Sequence, residues 1–586
     1  MSFFKSFFAS CLGALVAMVV VLVGVIVIVS ASGDDEVAIS ENSVLKLDLD
    51  VPIIETERED PFGSLPFFGS ETAKPIGLAQ LRQTIANAKT DSKIKGIYLT
   101  VSYPQAGYSM IEEVRESLQD FKSGGKWVVA YSENMSESAY YLASAADRVY
   151  LHPEGDLEFN GLAVDLTFFK RMFDKLEIKP EVFRVGEFKS AVEPFMLEKM
   201  SDANRLQLTS MIESIYDHVI TKISEARKIP KATLREISDK MSARNPLQAQ
   251  ELKLVDSLLY DDQVQEKLKG RLGLQGKQKI AFVNYAKYKR TFSTYKDSKN
   301  EVAVLVAEGP IMPGKAGTGQ AIIGAESFST ELRKARDNES VKAIVIRINS
   351  PGGSSLASDI MWREITLAAA VKPVIASMSD YAASGGYYMA MACDTIVAQP
   401  HTITGSIGVF SVLYDASGFL NNKIGITSEE LKTGEIGELV TVTRPLTEAE
   451  KAIWQQRTEE VYDTFTAKAA EGRNMTQDNI KKVASGRVWT GVQASERGLV
   501  DVLGNFNDAV AIAASAAGVK DDYRIRFYPK YTPSFFEQIV DQIEEEGEEK
   551  AMRAQLGEHY YLYQQLRHIK TYQGTQARMP FELKIH

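Results

Sequence analysis

The sequence predicts an α/β protein made of two tandem copies of one α/β unit, preceded by a single N-terminal transmembrane helix. Three observations carry that expectation: an uncharged apolar run near the N-terminus, an internal repeat at a nearly constant offset, and short β-branched runs alternating with helical stretches inside each repeat. Length alone says less. The chain has 586 residues, which at about 150 residues per domain suggests about four units.

The first element follows Lys5, where residues 6–33 carry no charge and are dominated by Leu, Val and Ile. About 20 apolar residues span a hydrocarbon core, so the run is long enough for a helix to cross. It is also longer than the roughly 7–15 apolar residues of a cleaved signal peptide, although Ala31, Ser32 and Gly33 could form a cleavage site. Lys5 precedes the run, and Asp34, Asp35 and Glu36 follow it. That asymmetry leaves the N-terminus in the cytoplasm and everything after residue 34 outside.

The two copies come next. The segment KGIYLTVSYPQAG from Lys95 matches KAIVIRINSPGG from Lys342, and MSESAYYLASAADRVYLHP from Met135 matches AASGGYYMAMACDTIVAQP from Ala382. Both 342 − 95 and 382 − 135 give 247. Leu254, Val255 and Asp256 pair with Leu499, Val500 and Asp501 at nearly the same offset. The expected layout is an anchor at 1–33, units at 43–290 and 299–525, and a tail at 526–586. In the second unit, residues 302–306, 343–348 and 374–377 read as buried strands, and 355–370 and 447–470 as helices. Residues 60–70 (DPFGSLPFFGS) read as a surface-loop insertion in the first copy. The tail holds an acidic cluster at 544–549, which reads as a solvated face, and then a Tyr/Leu/Gln-rich stretch with the character of a docking helix.

Composition removes several functions. A formal net charge of -10 with interspersed signs argues against a nucleic-acid partner, which needs a concentrated Lys/Arg surface. With only Cys11 and Cys393, no disulfide framework is expected. No CxxC or HExxH pattern exists and six histidines are scattered, so no metal site is expected. GPIMPGKA from Gly309 resembles a phosphate-binding loop but places Ala316 where Ser or Thr must bind magnesium. A GxSxG elbow is absent, which disfavours an ordinary α/β-hydrolase. His152 and His401 flank prolines, where a surface role is expected.

Chemistry concentrates where the copies differ. Asn349-Ser350-Pro351-Gly352-Gly353 follows one predicted strand, and adjacent glycines let free backbone NH groups approach a ligand. Ser384, in Ala383-Ser384-Gly385-Gly386, follows another and opens a helical stretch, where unpaired NH groups favour an oxyanion. A helix cap explains the same serine equally simply. In the first copy, however, Glu137 replaces Ser384, and Gln105-Ala106 replaces the glycine pair. A serine also needs a base, and lysine serves when burial lowers its pKa. Lys189 lies among apolar residues in GEFKSAVEPF, while the matching GEIG from Gly434 carries glycine. Alone, Lys189 would read as a solvated lysine with Glu187 and Glu193 as ion-pair partners. The reciprocal losses favour a Ser384/Lys189 pair shared between the copies.

These residues resemble the long form of the signal peptide peptidase (protease IV) family, within the ClpP/crotonase superfamily. The resemblance covers nearly the whole chain through SPGG, AASGGYY, TGSIGV (404–409) and FKSAVEPF (188–195). It implies two ClpP/crotonase-like units, Ser384 as nucleophile, Lys189 as general base, and the backbone NH groups of Gly353 and Gly385 as oxyanion hole. It further implies a homotetramer on the extracytoplasmic side of the bacterial cytoplasmic membrane, with remnant signal peptides and other hydrophobic peptides as substrates and no cofactor. Ser406 in TGSIG is a rival nucleophile, ranked below Ser384 because the family places scaffold residues there. An extended substrate would lie in a groove through main-chain hydrogen bonds. Two other readings stand beside this one: a crotonase-type acyl-CoA enzyme, disfavoured by the predicted external location, and a membrane-tethered scaffold with a degenerate site.

Overall fold

The computed structural model describes residues 38–57, 74–292, 298–316, 322–528 and 575–579, together with Gly13, Val16 and Ala17. Apart from those three, the predicted anchor lies outside the described residues, as do the 60–70 insertion, the acidic cluster and the expected docking helix. Among the described residues no helix is long and apolar enough to cross a membrane.

The first unit runs β1 (Ser43–Asp48), α1 (Leu78–Thr90), β2 (Ile94–Thr100), α2 (Tyr108–Ser123), β3 (Trp127–Met135), α3 (Glu137–Ala143), β4 (Arg148–Leu157), β5 (Lys179–Val185), α4 (Asp202–Arg227), β6 (Ser257–Leu258) and β7 (Phe282–Asn284). The second runs β8 (Glu301–Glu308), β9 (Ile311–Met312), β10 (Ile323–Gly324), α5 (Ala325–Asp337), β11 (Val341–Ser350), β12 (Gly352–Ser354), α6 (Ser355–Ala369), β13 (Val374–Ala383), α7 (Gly385–Ala390), β14 (Thr395–Ala398), β15 (Ile403–Gly405), β16 (Val409–Asp415), α8 (Glu448–Gly472), β17 (Val488–Thr490), β18 (Val502–Leu503), α9 (Phe506–Ala516) and β19 (Arg524–Tyr528). From the tail, Thr575–Arg578 forms β20.

Each copy builds a parallel sheet of the same strand order. Unit one orders β6-β4-β3-β2-β1-β7, and unit two carries β18-β14-β13-β11-β8-β19 in the equivalent places. The reason is visible along β11. Ile344, Ile346 and Ile348 enter one core cluster, while Ala343 and Val345 enter another, so both faces are covered and the run is apolar throughout. Each fully buried Ile or Val among them contributes about 1.5–3 kcal/mol. Repeat-matched tyrosines make matching bonds: Tyr140 OH donates to the Leu254 carbonyl at 2.8 Å and Tyr387 OH to the Leu499 carbonyl at 3.0 Å.

A third sheet joins the units, in the order β10-β9-β12-β20-β16-β5. Strand β5 leaves unit one and pairs antiparallel with β16 of unit two along seven residues, from Val409↔Val185 to Asp415↔Lys179. Phe183 anchors it against Leu446 and Trp454. The loop after β5 is thereby delivered into unit two.

Candidate active site

Strand β13 ends at Ala383, and the chain turns sharply through Ser384 into α7. Ser384 has φ 55 and ψ -109, a conformation that an L-residue holds only under constraint. Its NH donates to the Gly405 carbonyl at 2.8 Å and its carbonyl accepts from Tyr388 NH at 2.8 Å. Its side chain makes no helix-capping bond. Oγ makes a long donation to the Gly408 carbonyl at 3.4 Å and can still accept from another partner, which removes the simple cap explanation.

That partner comes from unit one. Lys189 follows β5 and Gly186, whose φ of 105 turns the chain, and its Nζ lies 2.9 Å from Ser384 Oγ. Both residues are 0% exposed. Nζ also donates to the Ser406 carbonyl and to Ser406 Oγ, each at 3.1 Å. Neither Glu187 nor Glu193 partners the lysine: Glu193 accepts from Ser201 and from Asn204 Nδ2 instead. Burial without a counter-charge pushes the Lys189 pKa well below its ordinary value, which favours the neutral, basic amine. Ser406 takes two of its hydrogens, Ser384 Oγ stands at its third position, and in the neutral amine that position is the lone pair able to take the Ser384 proton once the hydroxyl leaves the Gly408 carbonyl, 3.4 Å away.

The lysine reaches this place through a passage that only glycine leaves open. A Cβ on Gly486 would come within 2.6 Å of the Lys189 Cβ, and one on Gly408 within 3.3 Å of its Cδ. Buried Gln207 secures the loop, donating to the Phe188 carbonyl at 3.0 Å and to Ser190 Oγ at 2.8 Å while accepting from Val488 NH at 3.2 Å. Sequence reasoning missed Gly486 and Gln207, and weighed Ser406 only as a rival nucleophile. The TGSIG motif was the available signal for Ser406 and Gly408; no short motif marks Gln207.

Gly353 and Gly385 converge on one point. A Cβ on Gly385 would stand 3.0 Å from the Ala577 carbonyl oxygen, one on Gly352 would stand 2.2 Å from it, and Gly353 lies opposite Ala577 in the ladder between β12 and β20. In unit one the equivalent corner is closed. The Glu137 carboxylate accepts from Gly161 NH at 2.7 Å and Asn160 NH at 3.0 Å, and burial raises its pKa.

His401, expected at the surface, is 2% exposed. It sits between the units beside His218 and Tyr141, and burial holds its pKa down to about 3. Among the described residues, Glu112, His218 and His401 form one group able to hold a metal ion, with ligand atoms within 4.8 Å of one another. Arg115 already stands 3.5 Å from the Glu112 carboxylate and supplies the positive charge there.

The model of peptidase family S49 matches residues 120–275 and 366–520, once in each unit. The chain belongs to peptidase family S49. A chloroplastic serine protease SPPA from Arabidopsis thaliana is 36% identical over 78% of this chain and 68% of its own. Protease 4 of Haemophilus influenzae is 32% identical over 86% of this chain and 84% of its own. A solved structure, ClpP1 from Listeria monocytogenes, covers 35% of this chain and 94% of its own at 16% identity with a TM-score of 0.24, a likeness too low to bear on the fold. This S49 chain is thus a serine peptidase of the SppA family, which removes the acyl-CoA and scaffold readings.

Proposed function

We propose that Ser384 and Lys189 are the catalytic dyad of this peptidase, and that it degrades remnant signal peptides and related hydrophobic peptides. The observation that carries the dyad is the 2.9 Å approach of Lys189 Nζ to Ser384 Oγ inside a fully buried site that gives the amine no carboxylate. Neutral Lys189 takes the Ser384 proton as Oγ attacks the peptide carbonyl, and the Gly353 and Gly385 NH groups stabilise the resulting oxyanion. Collapse breaks the C–N bond, Lys189 passes its proton to the departing amine, and the acyl group remains on Ser384. Water, deprotonated by Lys189, then hydrolyses the ester and restores both residues. No metal takes part in this scheme.

The hydrophobic substrate class and the placement on the extracytoplasmic side, with the apolar run at 6–33 as anchor, rest on the family resemblance and on the charge asymmetry around that run. A homotetramer is supported by an exposed apolar segment in unit two, where Leu431, Val440 and Ile426 are 95%, 62% and 53% exposed. A monomeric native mass for the chain from residue 34 onward would remove that assignment.

The test of the dyad uses the same soluble chain and an apolar peptide. Ser384→Ala and Lys189→Ala are each expected to lower the cleavage rate by about 10⁴-fold or more while the circular dichroism spectrum is retained. Undiminished cleavage by Ser384→Ala would sink the nucleophile.

A further inference from the structure

Strand β20 lies between β12 and β16 and runs antiparallel to both, pairing Gly352↔Arg578, Gly353↔Ala577 and Ser354↔Gln576 on one side and Phe410↔Gln576 and Ser411↔Thr575 on the other. Met579 NH donates to the Pro351 carbonyl at 2.6 Å. Antiparallel pairs alternate between bonded and non-bonded, so Gly353 and Ala577, two residues along, occupy a hydrogen-bonding position of the ladder. The Ala577 carbonyl also abuts Gly352 and Gly385. It therefore points at the corner where the proposed oxyanion donors and Ser384 meet.

Seating is close along the whole segment. Gln576, Ala577, Arg578 and Met579 are 2%, 0%, 4% and 1% exposed. Ala577 packs in the unit-two core and Met579 in the unit-one core, and Ser355 Oγ donates to the Thr575 carbonyl at 2.9 Å. Without β20, β12 and β16 would face each other across the width of one strand, about 9–10 Å, with unpaired backbone groups on both edges. Such a slot takes an extended peptide of any origin by strand addition.

We propose that this tail segment is a resting occupant of the substrate groove, with Ala577 in the place of the residue whose carbonyl Ser384 attacks, so that a substrate binds only by displacing residues 575–579. The proposal rests on the assignment of Ser384 as nucleophile. It also defines what the groove accepts: a small residue at the attacked carbonyl, since Ala577 has no free space around it, and an apolar side chain two positions later, where Met579 lies.

The test separates binding from cleavage. In a Ser384→Ala background, a fluorescein-labelled apolar peptide with a central alanine is titrated against the full chain, a chain ending at residue 574, and a full-length Ala577→Trp variant that cannot seat the strand. Removing or unseating the strand is expected to tighten binding about tenfold, the factor for a groove filled in about nine molecules of ten. In the active protein the same truncation should lower KM by that factor and leave kcat unchanged. A free peptide TQARM should compete with the labelled one. Equal affinity in all three chains, or lost binding in the truncated chain at unchanged melting temperature, overturns the proposal, as does an absence of binding throughout. Failure of the dyad shows separately, as absent cleavage beside intact displacement.

Discussion

Lys189 is buried because four small features admit it: the turn at Gly186, the glycines at 408 and 486, and Ser406, which accepts two of its hydrogens through Oγ and carbonyl. Its depressed pKa has two consequences of stated sign. Activity should rise with pH through that depressed value, as the amine becomes neutral. Between it and the ordinary 10.5 the unfolded chain binds the additional proton, so stability also rises with pH across that interval, and Lys189→Met should flatten that part of the stability curve. A rate with no rising limb at any pH where the protein stays folded would contradict the assignment of Lys189. Ser406 positions the lysine rather than attacking. Ser406→Ala should lower kcat by about 10–100-fold with little change in KM, and shift the limb of the pH profile downward because the ammonium form loses an acceptor. A profile with an unmoved limb would leave Ser406 a packing role only. At this scale Ser384 and Lys189 were legible as a pair because each copy had lost the other's residue, whereas Gln207 acts through backbone contacts that any buried amide could make and so leaves no pattern.

Elements position these residues through pairings that sequence periodicity does not specify. Strands β8, β11 and β13 and helices α6 and α8 were legible, since continuous apolar runs and helical spacing are local properties; Thr447 and Glu450 form the capping box of α8. The partner of β5 was not legible, because a half-exposed strand fits many edges. Helix α2 shows the same point. Its first turn is capped by Asp380 from unit two, whose carboxylate accepts from Gly107, Ser109 and Met110 NH groups at 3.2, 2.9 and 3.2 Å. Asp380→Ala should cost about 1–3 kcal/mol in denaturant unfolding, and Asp380→Asn, which keeps one acceptor oxygen, less. An unchanged midpoint for the alanine variant would show that water replaces the carboxylate.

Across the molecule, the two units meet through a buried charge cluster. Arg347 of unit two pairs with Glu55 and Glu113 of unit one, each at 2.8 Å, and Arg82 reaches Glu113 at 3.0 Å. Arg347→Met strands the Glu55 carboxylate and leaves Glu113 to Arg82 alone, which should destabilise the chain by about 3–5 kcal/mol, with Arg347→Met/Glu55→Leu recovering part of the loss. Calorimetry showing no change in the single variant would mean that the cluster is solvated. His401 belongs to the same interface, which is why its neighbouring proline misled: a residue on the surface of its own unit can still be covered by the other copy.

By itself the sequence determined the α/β class, the duplication and the complementary residues, because apolar periodicity and repeat offsets are written locally in the chain. Only the tertiary structure decided that β5 crosses into unit two, that Lys189 enters an uncharged buried site beside Ser384, and that a strand from the tail lies along the glycine pair. Those outcomes depend on edge pairing and desolvation between segments nearly 200 residues apart or more, where many partners satisfy the same local pattern and the packing of both units selects one.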